Sequence, residues 1–201
     1  MPRFANLLVA VLLAMSCSLF STPAAADGSA SDALFSAYQK MINSSYSADS
    51  VSTDAKGKET RTKVEFETIS RFRATTSETS IVVLPEGTWM RSGDGQWMKP
   101  PVDMSGMFKR MIPSTIEDIR AGTSNIKDEG LQTIDGQSLR AISYDVNTKV
   151  MGVTVSSHNK VFIDDTGRIV RSESDSTAMG HKSHTVQTIH YDDSIKISAP
   201  N

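Results

Sequence analysis

The chain has 201 residues, with 21 basic and 23 acidic side chains, 4 histidines and a formal net charge of −2. That balance leaves no basic footprint for a nucleic acid and no polybasic block for anionic lipid heads. With Cys17 as its single cysteine, the sequence has neither a disulfide framework nor a thiolate-built metal centre.

Residues 1–26 carry Arg3, an apolar run from Leu7 to Met15, and the small residues Ala24, Ala25 and Ala26 before Asp27. This is the pattern of a secretory signal peptide cleaved after Ala26. The run falls short of the roughly 18 apolar residues that a spanning helix needs. The expected product is therefore periplasmic, with no transmembrane span. The stretch "LAMSC" is also similar to a lipoprotein cleavage box, and the alternative is a membrane-anchored lipoprotein held through Cys17. Residues 27–201 are read as a single domain, long enough to bury a sizeable core.

Asp32 is placed to cap a helix whose apolar positions Leu34, Phe35, Tyr38, Met41 and Ile42 fall on one face. From Tyr46 the period changes to two: Val64, Phe66 and Phe72 share one parity, while Lys63, Glu65, Arg71 and Arg73 take the other. "SIVVLP" is apolar on both parities and reads as a more central strand. "TWMRSGDGQWMKPP" (residues 88–101) then places two Trp-Met pairs around a Gly-Asp-Gly turn, with Pro100 and Pro101 ending the sheet edge. If Arg91 lies opposite Gln96, Met90 faces Trp97 and Trp89 faces Met98.

Helical spacing returns at Met104, Met107, Phe108, Met111 and Ile112, and Pro113 stops that face. "STIE", with Ser114 and Glu117, resembles a capping box that opens a second short helix running to Gly122. Beyond it, "LRAISYDV", "MGVTVSS", "KVFID", "RIVRSESD", "KSHTVQTIHYD" and "SIKIS" are separated by short turn signals, which predicts a meander of roughly ten antiparallel strands in all.

The order helix, strands, tryptophan hairpin, helical insertion and C-terminal meander resembles the LolA/LolB/LppX-like family of bacterial envelope lipid and lipoprotein carriers. The matching stretches are "TWMRSGDGQWMKPP", the hairpin "KVFIDDTGRIVR", with Phe162 where the family often has Trp, and the closing "YDDSIKISAP". The resemblance implies an α+β fold: a strongly curved antiparallel sheet forming a half-open β-barrel, with an N-terminal helix and a helical insertion covering its concave face. It also implies a space between sheet and helices that takes up acyl chains. Some members hold the helical lid with a buried Arg, for which Arg71, Arg73 and Arg91 are candidates here.

The expected ligand lining is Phe66, Phe72, Trp89, Met90, Trp97, Met98, Met104, Met107, Phe108 and Met111. Methionine suits a surface that accepts varied apolar partners. The competing reading of these residues is ordinary core and hairpin packing. No motif for catalysis stands out: Ser124-x-x-Lys127 and Ser157-x-x-Lys160 lack the accompanying motifs of a Ser-Lys enzyme. His181 and His184, three residues apart, would point to opposite faces of a strand. The sequence thus predicts a binding protein with no catalytic residues, no metal and no cofactor, whose partners are the acyl chains of a lipid or lipoprotein. The alternative is an envelope sensor or scaffold that uses the same half-barrel to contact another protein.

Overall fold

The computed structural model describes residues 28–100, 115–150 and 153–200. Helix α1 (Gly28–Ile42) buries Ala30, Leu34, Phe35, Ala37 and Met41 along one stripe. It begins before Asp32, so that residue lies inside the helix and does not cap it. The physical reason is Ala30, which is fully buried and extends the packed stripe one turn towards the N-terminus.

Five strands follow: β1 (Tyr46–Asp54), β2 (Glu59–Thr68), β3 (Arg71–Thr76), β4 (Thr79–Leu84) and β5 (Gly87–Ser92). Helix α2 (Ile116–Gly122) leads into five more: β6 (Thr123–Ile134), β7 (Gln137–Val150), β8 (Val153–Ile163), β9 (Ile169–Ala178) and β10 (His181–Tyr191). The sheet order is β5-β4-β3-β2-β1-β10-β9-β8-β7-β6. Two meanders therefore run side by side, joined where β1 pairs antiparallel with β10 from Tyr46↔Tyr191 to Asp54↔Ser183. Edge strands β5 and β6 do not pair, so the sheet is open among the described residues.

Laid flat, ten strands would span about 43 Å from edge to edge. Instead one apolar cluster draws side chains from every strand and both helices, including Met90 of β5, Ile126 of β6, Phe72 of β3, Ile142 of β7 and Ile119 of α2. Only a strongly curved sheet brings both wings to one core. Register irregularities at Phe66/Thr68, Ser124/Lys127, Asp128/Gly130 and Phe162/Ile163 supply local bends. The fold is the expected α+β half-barrel, with α1 against the concave face.

Several expectations need correction. The capping box of α2 is Thr115 with Asp118, one residue beyond the expected Ser114 and Glu117: Asp118 N–H donates to Thr115 Oγ1 at 3.2 Å, and Thr115 N–H donates to Asp118 Oδ2 at 3.1 Å. Strand β6 was not foreseen. "MGVTVSS" and "KVFID" contribute to one strand, β8, because Ser157 and Asn159 sit on a buried face and continue the alternation through a polar stretch.

"SIKIS" is not a strand. This segment crosses the convex face of the sheet, where Ile197 N–H donates to Glu67 Oε2 at 2.9 Å and Arg71 donates to the Ile197 carbonyl at 3.3 Å. Ile195 and Ile197 pack there on Val82, Leu84, Trp89 and Trp97. That cover explains β4, which lies one strand in from the edge and yet is buried at all six positions.

Candidate functional site

The concave face begins with an aromatic row set by strand register. Tyr191, Tyr46, Phe66 and Phe72 are direct neighbours across β10, β1, β2 and β3. Tyr46 stacks on Phe66 with centroids 4.8 Å apart, and Phe66 lies 5.3 Å from Phe72. Leu34, Phe35 and Met41 of α1 join the same cluster, together with Val64, Ile81 and Met90. Burial, with Tyr191 and Tyr38 adding to it, holds the Tyr46 phenol well above its ordinary value. Its hydroxyl has no hydrogen-bond partner among the described residues, while the Tyr38 and Tyr144 hydroxyls bond to each other between α1 and β7.

The two Trp-Met pairs are arranged differently from expectation. Met90 exchanges backbone hydrogen bonds with Met98, both at 2.9 Å, so the loop is one residue longer than a pairing of Met90 with Trp97 allows. Gly93 at φ +53 shapes this loop, and its N–H donates to the Glu78 carbonyl at 2.7 Å. The shift puts both tryptophans on the convex face. There Arg91 covers the Trp97 ring and Lys99 the Trp89 ring, each at 4.9 Å from the centroid. Met90 remains on the concave face, and Met98 at the sheet edge is 64% exposed.

Of the expected lining, the structure therefore brings together Phe66, Phe72 and Met90, and separates Trp89, Trp97 and Met98 from them. Met104, Met107, Phe108 and Met111 lie outside the described residues. None of the candidate latch arginines points inward. Arg71 pairs with Glu86 at 3.5 Å and Arg73 with Glu65 at 2.6 Å, both outside, and Arg91 is on Trp97. An arginine contact between the helices comes instead from Arg120 of α2, 4.2 Å from the Phe35 ring of α1.

Further along the strands the concave face changes character. Ser50, Gln187, Ser174, Ser176, Ser157 and Asn159 are all buried, on β1, β10, β9 and β8. Gln187 Nε2 donates to Ser50 Oγ at 3.0 Å, Ser172 Oγ donates to Gln187 Oε1 at 3.3 Å, and Asn159 Nδ2 donates to Ser157 Oγ at 2.9 Å. This hydroxyl and carboxamide patch was missed by reasoning from apolar residues alone. Its signature is present in "RSESDS", where Ser172, Ser174 and Ser176 alternate with Arg171, Glu173 and Asp175.

The convex face carries the charges. In the register Asp145↔His158↔Asp175↔His184, acids and histidines alternate across β7 to β10. His158 Nδ1 lies 2.7 Å from Asp145 and His184 Nδ1 lies 2.8 Å from Asp175. Burial works to raise the Asp145 carboxyl, but hydrogen bonds from Asn125 and His158 outweigh it and hold the group below its ordinary value. No group of three or more His, Cys, Asp or Glu residues is arranged to hold a metal among the described residues. Ser157 and Lys160 take opposite faces of β8, the serine inward and the lysine paired with Glu129 at 3.1 Å, so they cannot form a nucleophile and its base. Asp164 and Asp192 accept hydrogen bonds from their own turns.

No family model matches the chain, and no curated protein matches its sequence. Among solved structures, the lipoprotein LppX of Mycobacterium tuberculosis matches with a TM-score of 0.57 and 12% identity, over 86% of this chain and 100% of that one. A LolA superfamily protein of Nitrosomonas europaea matches at a TM-score of 0.33 and 9% identity, over 77% of this chain and 93% of that one, and adds nothing to the first comparison. No helix among the described residues is long and apolar enough to cross a membrane. In fold, this chain is LppX-like: a half-open antiparallel β-barrel of α+β class with helices against its concave face.

Proposed function

We propose that the protein is an exported carrier that holds acyl chains of a lipid or lipoprotein against its concave face, beneath α1. The observation that carries this reading is the row Tyr46, Phe66 and Phe72, aligned across three strands and continuous with Val64, Ile81 and Met90. These rings are buried under α1, so acyl chains would enter by separating the helix from the row, and each CH₂ they remove from water contributes about 0.8 kcal/mol. The reading needs no cofactor and no catalytic group, and it places the mature chain, residues 27–201, in the periplasm. The similarity to LppX, itself a lipoprotein, lends support to the anchored form through Cys17. Intact mass of the mature protein decides between anchoring there and cleavage after Ala26.

The test is native mass spectrometry of protein purified from its own periplasm, followed by solvent extraction. Co-purifying acyl species are expected. A second reading, an envelope scaffold, draws on Met98, which is 64% exposed at the sheet edge. An acyl-free protein that also takes up no lipid from vesicles would decide in its favour.

A further inference from the structure

Resting on the carrier reading, the geometry points to a cargo whose polar part is uncharged and carries hydroxyl or ester oxygens, seated on the buried patch around Ser50, Gln187, Ser174 and Asn159. Strand parity fixes the inward direction: Ser50 stands opposite Gln187 on β10 and Thr62 on β2, and Ser174 opposite Asn159 on β8 and Thr185 on β10. The patch therefore adjoins the apolar wall on the same strands, Tyr46 and Ala48 lying two and one inward-facing positions before Ser50 on β1. A lipid laid along β1 would meet aromatic rings with its tails and hydroxyls with its polar end.

Two further observations point to a ligand's polar atoms and to their charge. Thr62 is 4% exposed and its hydroxyl has no hydrogen-bond partner among the described residues, although buried polar groups are nearly always paired. It lies beside Ser50 on the same face. No inward-facing position of the patch among the described residues holds a lysine or arginine. Among the described residues, the arginine that shares the inward parity of β7 is Arg140, at the far end of the strand and bonded to Asp128 at 2.6 Å. Burying a phosphate or carboxylate there would leave an anion without a countercharge, which is costly. Hydroxyl and carboxamide side chains both donate and accept, and suit a neutral oxygen-rich group.

The experiment offers the delipidated mature protein vesicles made of equal parts monogalactosyldiacylglycerol and phosphatidylglycerol with identical acyl chains, and identifies the captured lipid by native mass spectrometry and extraction. The neutral lipid is expected to exceed the anionic one by about tenfold. Thr62→Val, which keeps the side-chain shape, should lower that preference about threefold. Gln187→Leu, which removes both the donor and the acceptor of the carboxamide, should lower it further. Circular dichroism checks that each variant is folded. Equal capture of the two lipids, or a preference that both folded variants keep in full, overturns the patch assignment and leaves the carrier reading standing. Capture of neither lipid overturns the carrier reading and the inference with it.

Discussion

Replacing Phe72 by Ala tests whether the aromatic row holds the half-barrel together. Phe72 is 1% exposed, sits between Phe66 on β2 and Val83 on β4, and belongs to the cluster that joins both wings of the sheet. Truncation removes the transfer free energy of a whole ring and leaves a cavity that a curved sheet pinned by neighbouring strands fills only in part. The expected cost is about 3 to 5 kcal/mol. For a domain of this size that corresponds to a fall in Tm of about 10 °C. The assay is urea and thermal unfolding of the delipidated mature protein, followed by circular dichroism. Phe72→Leu, which keeps most of the volume, should lose about 1 kcal/mol. A loss below about 1 kcal/mol for the alanine variant would refute the reasoning, because the ring would then not be part of a packed, continuous core.

Trp97→Ala should cost about 2 kcal/mol, since it removes the ring beneath Arg91, whose buried Nε already lacks a hydrogen-bond partner among the described residues, and opens the cluster with Ile197 and Leu84. Lipid uptake should be unchanged because that face is convex; a folded variant that takes up less lipid would place the tryptophan in the site after all. Acid unfolding probes Asp128. The Arg140 hydrogen bond, helped by the Gly130 N–H, holds its carboxyl below the ordinary range. Because the folded-state value is lowered, the stabilisation is complete above the unfolded value near about 3.9 and disappears as pH falls through the folded one. Asp128→Asn should therefore be less stable than the parent at pH 7 by about 1 kcal/mol, with the two melting curves converging below about pH 4. A gap that stays constant down to pH 2 would show that the pair contributes nothing through its charge.

Much of the fold was legible because period and turn chemistry are local. Leu34, Phe35 and Met41 announce the buried stripe of α1, and Phe66 and Phe72 share an apolar parity that the structure confirms. The strand β6 was hidden because its buried residues, among them Thr123, Ser124 and Ile126, include too few apolar ones to show the alternation. The expected hairpin register differs from the observed one by one residue, and with period-two side chains that single step moves Trp97 off the face it was expected to share with Met90 and onto the opposite one. The candidate site was legible as an apolar wall but not as an amphipathic one, because serines read singly are surface residues.

The run of alternating segments and the amphipathic stripe of residues 34–42 by themselves determine an antiparallel sheet accompanied by an amphipathic helix. They do so because each depends on residues close together along the chain. Which face is concave, which strands meet at β1 and β10, and what covers β4 were decided only by tertiary structure. Those outcomes rest on contacts between residues more than a hundred positions apart, such as Tyr46 with Tyr191 and Glu67 with Ile197. No local pattern encodes such a pairing, because it is the burial of one shared core that selects it.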